Sequence, residues 1–131
     1  MCEGCGNAIV YGNARVYGKA RVSGDVEVFD DAKIYGSAEI YDNAQVYGNS
    51  QVYSFAKVFC DAKVYGNAKI GNGAKVSGKA QVYGDAQVCR KAMVYGNAIV
   101  YDYAKVSGNA IIGENAIIDG YKVVCGNTII K

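Results

Sequence analysis

The sequence predicts an all-β fold, a single-stranded left-handed parallel β-helix (a β-solenoid) of about seven triangular coils of 18 residues. Three observations predict it. An aliphatic residue, which we number position 1, stands at every sixth residue from Val10 to Ile130, 21 times in succession. Position 5 is almost always small, as at Ala44. Positions 3 and 4 are turn-forming pairs such as Gly48-Asn49.

Each hexad is expected to give a short strand followed by a bend. Positions 5 and 1 are two residues apart, so both side chains point inwards, while positions 6 and 2 point to solvent. Glycine and asparagine tolerate the positive φ of a tight corner. Three hexads close one coil, and successive coils stack about 4.8 Å apart through parallel hydrogen bonds. We therefore expect residues 8–131 to form the solenoid and residues 1–7 to be an N-terminal lead-in.

Two hexads match a known motif, namely an aliphatic residue, glycine, two variable residues and a small residue. They are residues 70–75 (Ile-Gly-Asn-Gly-Ala-Lys) and residues 112–117 (Ile-Gly-Glu-Asn-Ala-Ile). This motif resembles that of the hexapeptide-repeat superfamily of trimeric acyltransferases. Three other hexads read Val-Tyr-Gly-Asn-Ala, at residues 10–14, 64–68 and 94–98, and several more differ from it at one position. This pattern is similar to a tyrosine-rich branch of bacterial and phage proteins. The resemblance covers residues 8–130 and concerns the fold far more than the activity.

The resemblance implies an activity for which this chain lacks the residues. Acyltransferases of that superfamily use a histidine as general base, and relatives that hydrate carbon dioxide bind a metal through three histidines. The chain has no histidine, so no catalytic, metal-binding or cofactor-binding residue carries over. We expect a protein without enzymatic activity or cofactor. An atypical acyltransferase-like protein that binds a small molecule or acyl-CoA between subunits is the alternative.

Cysteines give two candidate sites. Cys2 and Cys5 form a CxxC pair, which is half of a zinc site. Without a histidine or a second such pair, unpaired thiols are the favoured interpretation. Cys89 and Cys125 lie two coils apart on one face, about 9–10 Å, which is too far for a disulfide.

Residues that are 18 apart are expected to lie directly over one another, so the outward positions can be sorted by face. On the first face, which begins with the hexad of Val10, position 2 is aromatic in successive coils: Tyr11, Phe29, Tyr47, Tyr65, Tyr83 and Tyr101. Stacked aromatic side chains stabilise neighbouring strands by roughly 0.5–1 kcal/mol per pair. We interpret this aromatic ladder as part of the scaffold, with a flat contact surface as the alternative, because tyrosine is favoured in interfaces.

Position 6 changes from polar to apolar towards the C-terminus. It is polar in most hexads up to Gln87, and afterwards only Lys105 interrupts a run of apolar residues. Five of them form a predicted interface: Met93, Ile99, Ile111, Ile117 and Ile129. Contiguous exposed apolar surface usually marks a partner site. We expect a homo-oligomer, either a dimer or a trimer, or else a protein partner.

Lys122 stands at position 5, where almost every other hexad has a small residue. Burying an unpaired ammonium group there would be costly. We therefore expect the coil that contains Lys122 to be distorted.

Charge and hydropathy restrict the other partners. One column of the second face carries four cations with amides between them: Arg15, Lys33, Lys69 and Lys105. We interpret it as a solvated face, because the net charge is only +2, and expect no nucleic acid partner. No apolar run reaches the length of a membrane span. The N-terminus lacks the features of a signal peptide, so we expect a cytoplasmic protein.

Together these features predict a non-catalytic structural or interaction solenoid. It would self-associate or bind a macromolecule through its flat faces and its C-terminal apolar residues. A phage- or host-related inhibitor or adaptor that binds another protein is a further alternative.

Overall fold

The computed structural model describes residues 7–131, which form 21 strands of two residues each. Every strand holds positions 6 and 1 of a hexad, and a corner follows it. Within residues 7–131 no helix is long and apolar enough to cross a membrane. The strands divide into three parallel sheets of seven, which are the three faces of a triangular rod.

The first face contains β1 (Ile9–Val10), β4 (Glu27–Val28), β7 (Gln45–Val46), β10 (Lys63–Val64), β13 (Gln81–Val82), β16 (Ile99–Val100) and β19 (Ile117–Ile118). The second face contains β2 (Arg15–Val16), β5 (Lys33–Ile34), β8 (Gln51–Val52), β11 (Lys69–Ile70), β14 (Gln87–Val88), β17 (Lys105–Val106) and β20 (Val123–Val124). The third face contains β3 (Arg21–Val22), β6 (Glu39–Ile40), β9 (Lys57–Val58), β12 (Lys75–Val76), β15 (Met93–Val94), β18 (Ile111–Ile112) and β21 (Ile129–Ile130).

Each strand pairs in parallel with the strand 18 residues away, so the predicted β-solenoid is confirmed. Val46 lies opposite Val64, for example. The Tyr47 N–H donates to the Val64 carbonyl at 2.9 Å, and the ladder continues through the corner, where the Asn49 N–H donates to the Gly66 carbonyl at 2.7 Å. Strands and corners are therefore held by one continuous hydrogen-bond ladder, for which the absence of proline leaves every N–H available.

The core is a column of aliphatic and alanine side chains along the axis of the rod. From Val22 to Ile112, every residue at positions 1 and 5 has no exposed surface, Ala44 and Val46 included. Ser50 is the polar member of this core, and its hydroxyl donates to the Tyr47 carbonyl at 2.8 Å. The buried hydroxyl is thus satisfied, as buried polar groups require.

Position 3 turns every corner with a positive φ, and eight such residues are not glycine: Asp30, Asp42, Ser54, Cys60, Asn72, Arg90, Asp102 and Glu114. This conformation costs roughly 1–2 kcal/mol for a residue with a Cβ. The three aspartates offset it, because each carboxylate accepts a backbone N–H of the next coil at 3.2 Å.

The prediction that the coil containing Lys122 is distorted is wrong. Strand β20 keeps its register, with Lys105 opposite Val123. The side chain of Lys122 is 62% exposed, and its ammonium group forms an ion pair with Asp119 at 3.1 Å. Within residues 7–131 no coil lies over this position, and the side chain leaves the core without displacing the backbone.

Candidate interaction surfaces

The aromatic ladder of the first face is one continuous stack of rings. Neighbouring ring centroids are 4.7–5.2 Å apart, and neighbouring ring planes are within 10° of parallel. Each inner ring has both of its faces covered by its neighbours, so only ring edges and hydroxyls reach solvent. The ladder therefore presents phenol edges to a partner and leaves no inner ring face free for a base or a sugar to stack on.

Hydroxyl groups of the ladder take part in hydrogen bonds along the rod. The Tyr65 hydroxyl donates to Gln81 Oε1 at 3.2 Å, and the Tyr101 hydroxyl donates to Asp119 Oδ2 at 3.5 Å. Burial raises the pKa of Tyr47 and the pKa of Tyr65 above the ordinary tyrosine value. The phenols of Tyr47 and Tyr65 are therefore neutral at physiological pH.

A shorter stack on the second face contains Tyr17, Tyr35 and Tyr53, with centroids 5.2 and 5.4 Å apart. It ends at Gly71, where an added Cβ would overlap the ring of Tyr53. The last ring of the stack therefore leans over the next coil and occupies the space that a side chain at position 71 would fill.

Tyr103 and Tyr121 form a stacked pair at a corner, with centroids 4.9 Å apart. Both are exposed, Tyr121 to 79%. Sequence reasoning missed this pair because it sorted only positions 2 and 6, whereas these tyrosines stand at position 4. Their spacing of 18 residues was the available signal.

The structure separates the predicted apolar interface into two columns on adjacent faces. The third-face column contains Met93, Ile111 and Ile129 in register, and the first-face column contains Ile99 and Ile117 in register. Met93, Ile117 and Ile129 are exposed to 39%, 54% and 59%, respectively. The corner between the third and first faces separates the columns, so one flat partner surface contacts only one of them.

Charges are segregated around the rod. We define the basic surface as the outward positions of the second face, the corner that follows it and position 6 of the third face. Its cations are Arg15, Lys19, Arg21, Lys33, Lys57, Lys69, Lys75, Arg90, Lys91 and Lys105, and its one carboxylate is Glu39. The sequence-based interpretation of a basic column included only four of these ten cations, because it considered the second face by itself and left out the corner that follows it.

We define the acidic surface as the first face together with the corners on either side of it. Its carboxylates are Asp25, Glu27, Asp30, Asp31, Asp42, Asp61, Asp85, Asp102, Glu114 and Asp119. Lys63 and Lys79 lie among them, and Lys122 lies beside Asp119. In the triangular cross-section the acidic surface is opposite the basic corner.

The two surfaces meet along the corner between the first and second faces. There, Arg15, Asp31 and Lys33 line a shallow cavity of about 630 Å³. Among residues 7–131, however, the Lys122–Asp119 contact is the one ion pair within 4.0 Å. The charges of the basic surface are therefore free of direct carboxylate partners in the described part of the chain.

The side chains that could bind a metal or act as nucleophiles are dispersed over the described surface. Over residues 7–131, no group of three or more histidine, cysteine, aspartate or glutamate side chains is placed to hold a metal ion. Cys60, Cys89 and Cys125 are free thiols. The predicted half zinc site at Cys2 and Cys5 lies outside the described residues.

The fold and these surfaces define a repeat β-solenoid protein. The family model of the YdcK beta solenoid repeat matches residues 5–18 and residues 8–24 of this chain. The similarity therefore concerns the repeat within about the first coil. No curated protein sequence matches the chain.

Proposed function

We propose that this chain is a non-catalytic structural solenoid that assembles with other copies of itself through its C-terminal apolar columns. The observation that carries the proposal is the third-face column, in which Met93, Ile111 and Ile129 stack in register over three consecutive coils. Two of the three are more than a third exposed, which soluble monomers rarely allow for several adjacent apolar residues.

A pair of third faces suits such a contact. The face is a flat sheet, and pairing it with the same face of another copy about a two-fold axis makes the contact self-complementary. Burying one isoleucine side chain contributes roughly 1.5–3 kcal/mol. The backbone is already held by the continuous hydrogen-bond ladder. Within each copy, therefore, the contact restricts little besides the conformational freedom of the side chains.

The first-face column provides a second apolar contact on the adjacent face. Ile99 and Ile117 lie over one another in register, and Ile117 is 54% exposed. Because the corner prevents one flat partner from covering both columns, we assign the main contact to the longer, third-face column. The first-face column contributes a second contact in larger assemblies.

Sedimentation velocity in about 0.5 M NaCl, where charge contacts are screened, tests the proposal. The wild-type chain at roughly 50 µM is expected to sediment as a dimer or larger species. The double variant Ile111→Lys, Ile129→Lys is expected to be monomeric, with a dissociation constant raised about 100-fold or more, because two buried apolar contacts are replaced by charges.

Val123→Lys is the matched control. Val123 is also apolar and 64% exposed, but it lies on the second face, so the variant is expected to associate as the wild type does. The pair Ile99→Lys, Ile117→Lys measures the first-face column separately. A monomeric wild type, or equal loss of association in the Val123 variant, would contradict the proposal.

A further inference from the structure

The basic and acidic surfaces run along the same coils on opposite sides of one rigid rod. Every coil from that of Arg15 to that of Lys105 carries at least one cation of the basic surface. Carboxylates of the acidic surface extend from Asp25 to Asp119. At about 4.8 Å per coil, the basic surface is about 24 Å long, and the acidic surface is at least as long.

Within residues 7–131, no charged group of the two surfaces except Asp119 has an ion-pair partner. In residues 7–131, the one ion pair is Lys122–Asp119, and it involves none of the ten cations of the basic surface. All of those cations except the half-buried Lys57 are exposed. Ten positive charges on two adjacent faces and the corner between them raise the local potential well above that expected from a net charge of +2.

We propose that the basic surface of one copy binds the acidic surface of a second copy, side by side and with the rods parallel. Both surfaces repeat with the same coil spacing, so a parallel arrangement brings successive cations opposite successive carboxylates. The backbone positions of these charges are fixed before the contact forms. The contact is heterologous, since it joins two different surfaces, and it therefore builds rows or rings of rods.

A second copy accounts for more of the charged residues than a nucleic acid or another linear polyanion does. A polyanion would use the ten cations but leave the ten carboxylates on the opposite side without a role. It would also gain no base stacking from the aromatic ladder, because the faces of the inner rings are covered. Another copy of this chain uses both surfaces at once.

The inference goes beyond the apolar contact proposed above and does not require it. Salt separates the two, because exposed charge contacts weaken as salt is added whereas apolar contacts do not. Association that disappears only with added salt reports the charged contact. Association that remains in high salt and disappears in the Ile111→Lys, Ile129→Lys variant reports the apolar contact.

The first measurement is sedimentation velocity of the wild type at about 20 mM and about 500 mM NaCl. We expect the salt-sensitive association constant to be about tenfold or more higher at the lower salt concentration. Identical sedimentation at the two salt concentrations would overturn the proposal.

A charge swap gives the decisive measurement. The variant Lys69→Glu, Lys91→Glu reverses part of the basic surface, and the variant Asp61→Lys, Asp85→Lys reverses part of the acidic surface. Each alone is expected to lose the salt-sensitive association. A mixture of the two is expected to restore it, because the first keeps an intact acidic surface and the second an intact basic surface. Failure of the mixture to associate, with both variants folded by thermal melting, would overturn the proposal.

Lys63→Glu, Lys79→Glu is the matched control, because it makes the same change in net charge on the acidic surface. We expect this variant to retain or strengthen the salt-sensitive association. Loss of association in the control would show that net charge, and not the two surfaces, governs the effect. A wild type that binds single-stranded DNA at low salt but shows no salt-sensitive self-association would also reject a second copy as the occupant.

Discussion

An interior coil and the C-terminal coil follow the same hexad pattern under different constraints. In the interior, Ala44 is completely buried, and a Cβ added at Gly48 would lie 2.8 Å from the Gly66 nitrogen. In the C-terminal coil, Lys122 occupies the position that corresponds to Ala44 and is 62% exposed. A Cβ at Gly126 would meet no atom within 4 Å. The comparison shows that the next coil, and not the strand itself, decides which residues a position accepts.

The largest expected effect comes from moving the lysine into the interior. Ala80 is completely buried at position 5. We expect Ala80→Lys to lower the free energy of unfolding by about 3–5 kcal/mol or to prevent folding, because it buries an unpaired ammonium group. Lys122→Ala is expected to change it by less than about 1 kcal/mol, since an exposed ion pair is worth little. Urea unfolding of both variants checks this, and similar midpoints would refute the role of the next coil.

A smaller effect is expected at the corners. Gly48 and Gly126 have nearly the same φ, 70° and 69°, so alanine should cost each corner roughly 1–2 kcal/mol in backbone strain. Gly48→Ala also brings a Cβ against the next coil, and we expect it to lose at least about 1 kcal/mol more than Gly126→Ala. Equal losses in urea unfolding would mean that corner strain alone matters.

Gly48→Asp sharpens the same comparison. Asp30 occupies the equivalent corner one coil earlier, and its carboxylate accepts the Gly48 N–H at 3.2 Å. An aspartate at position 48 is therefore expected to recover about 0.5–1.5 kcal/mol relative to alanine, which is the usual net contribution of a hydrogen bond. Urea unfolding of Gly48→Asp beside Gly48→Ala measures this difference. If Gly48→Asp is no more stable than Gly48→Ala, the native aspartates do not offset the strain of the positive φ.

Much of the fold could be predicted from the sequence because its period is set by geometry. Positions 5 and 1 face inwards in any hexad coil, and a spacing of 18 fixes which residues stack, as with Tyr47 and Tyr65. The same rule places Ile99 and Ile111, which are 12 residues apart, on different faces, so the five residues of the predicted interface do not form one patch. The exposure of Lys122 follows from its place in the last described coil, which the hexad pattern alone does not express.

The basic surface shows a different limit of sequence reasoning. Its members at Lys19, Arg90 and Lys91 stand at corners, and Arg21, Lys57 and Lys75 stand on a neighbouring face. The richest single column holds only four of the ten cations, Arg15, Lys33, Lys69 and Lys105. The ten cations are recognised as one surface only when the two faces and the corner between them are considered together. That step requires the cross-section of the rod as well as the period of the repeat.

The aromatic ladder extends the comparison to side chains on the surface. Tyr65 stacks on Tyr47 and Tyr83, with centroids 4.9 and 4.8 Å away, whereas Tyr121 stacks only on Tyr103. We expect Tyr65→Ala to lose about 1–2 kcal/mol and Tyr121→Ala about 0.5 kcal/mol in urea unfolding. Tyr65→Phe keeps both stacks, as the native Phe29 does, and should lose only the hydrogen bond to Gln81. Equal losses for the two alanine variants would show that the stacks contribute little.

The smallest expected effect is a dependence of stability on alkaline pH. Because burial raises the pKa of Tyr47 and the pKa of Tyr65, the folded protein holds these phenol protons more tightly than the unfolded chain. The associated stability is complete below the ordinary tyrosine pKa of about 10 and is lost as pH rises through the raised values. The double variant Tyr47→Phe, Tyr65→Phe should therefore lose less stability than the wild type between about pH 8 and pH 11. The two proteins share every other ionisable group, so the difference between their thermal melting profiles isolates the two phenols. Parallel profiles would show that burial in the ladder does not raise the pKa of these two phenols.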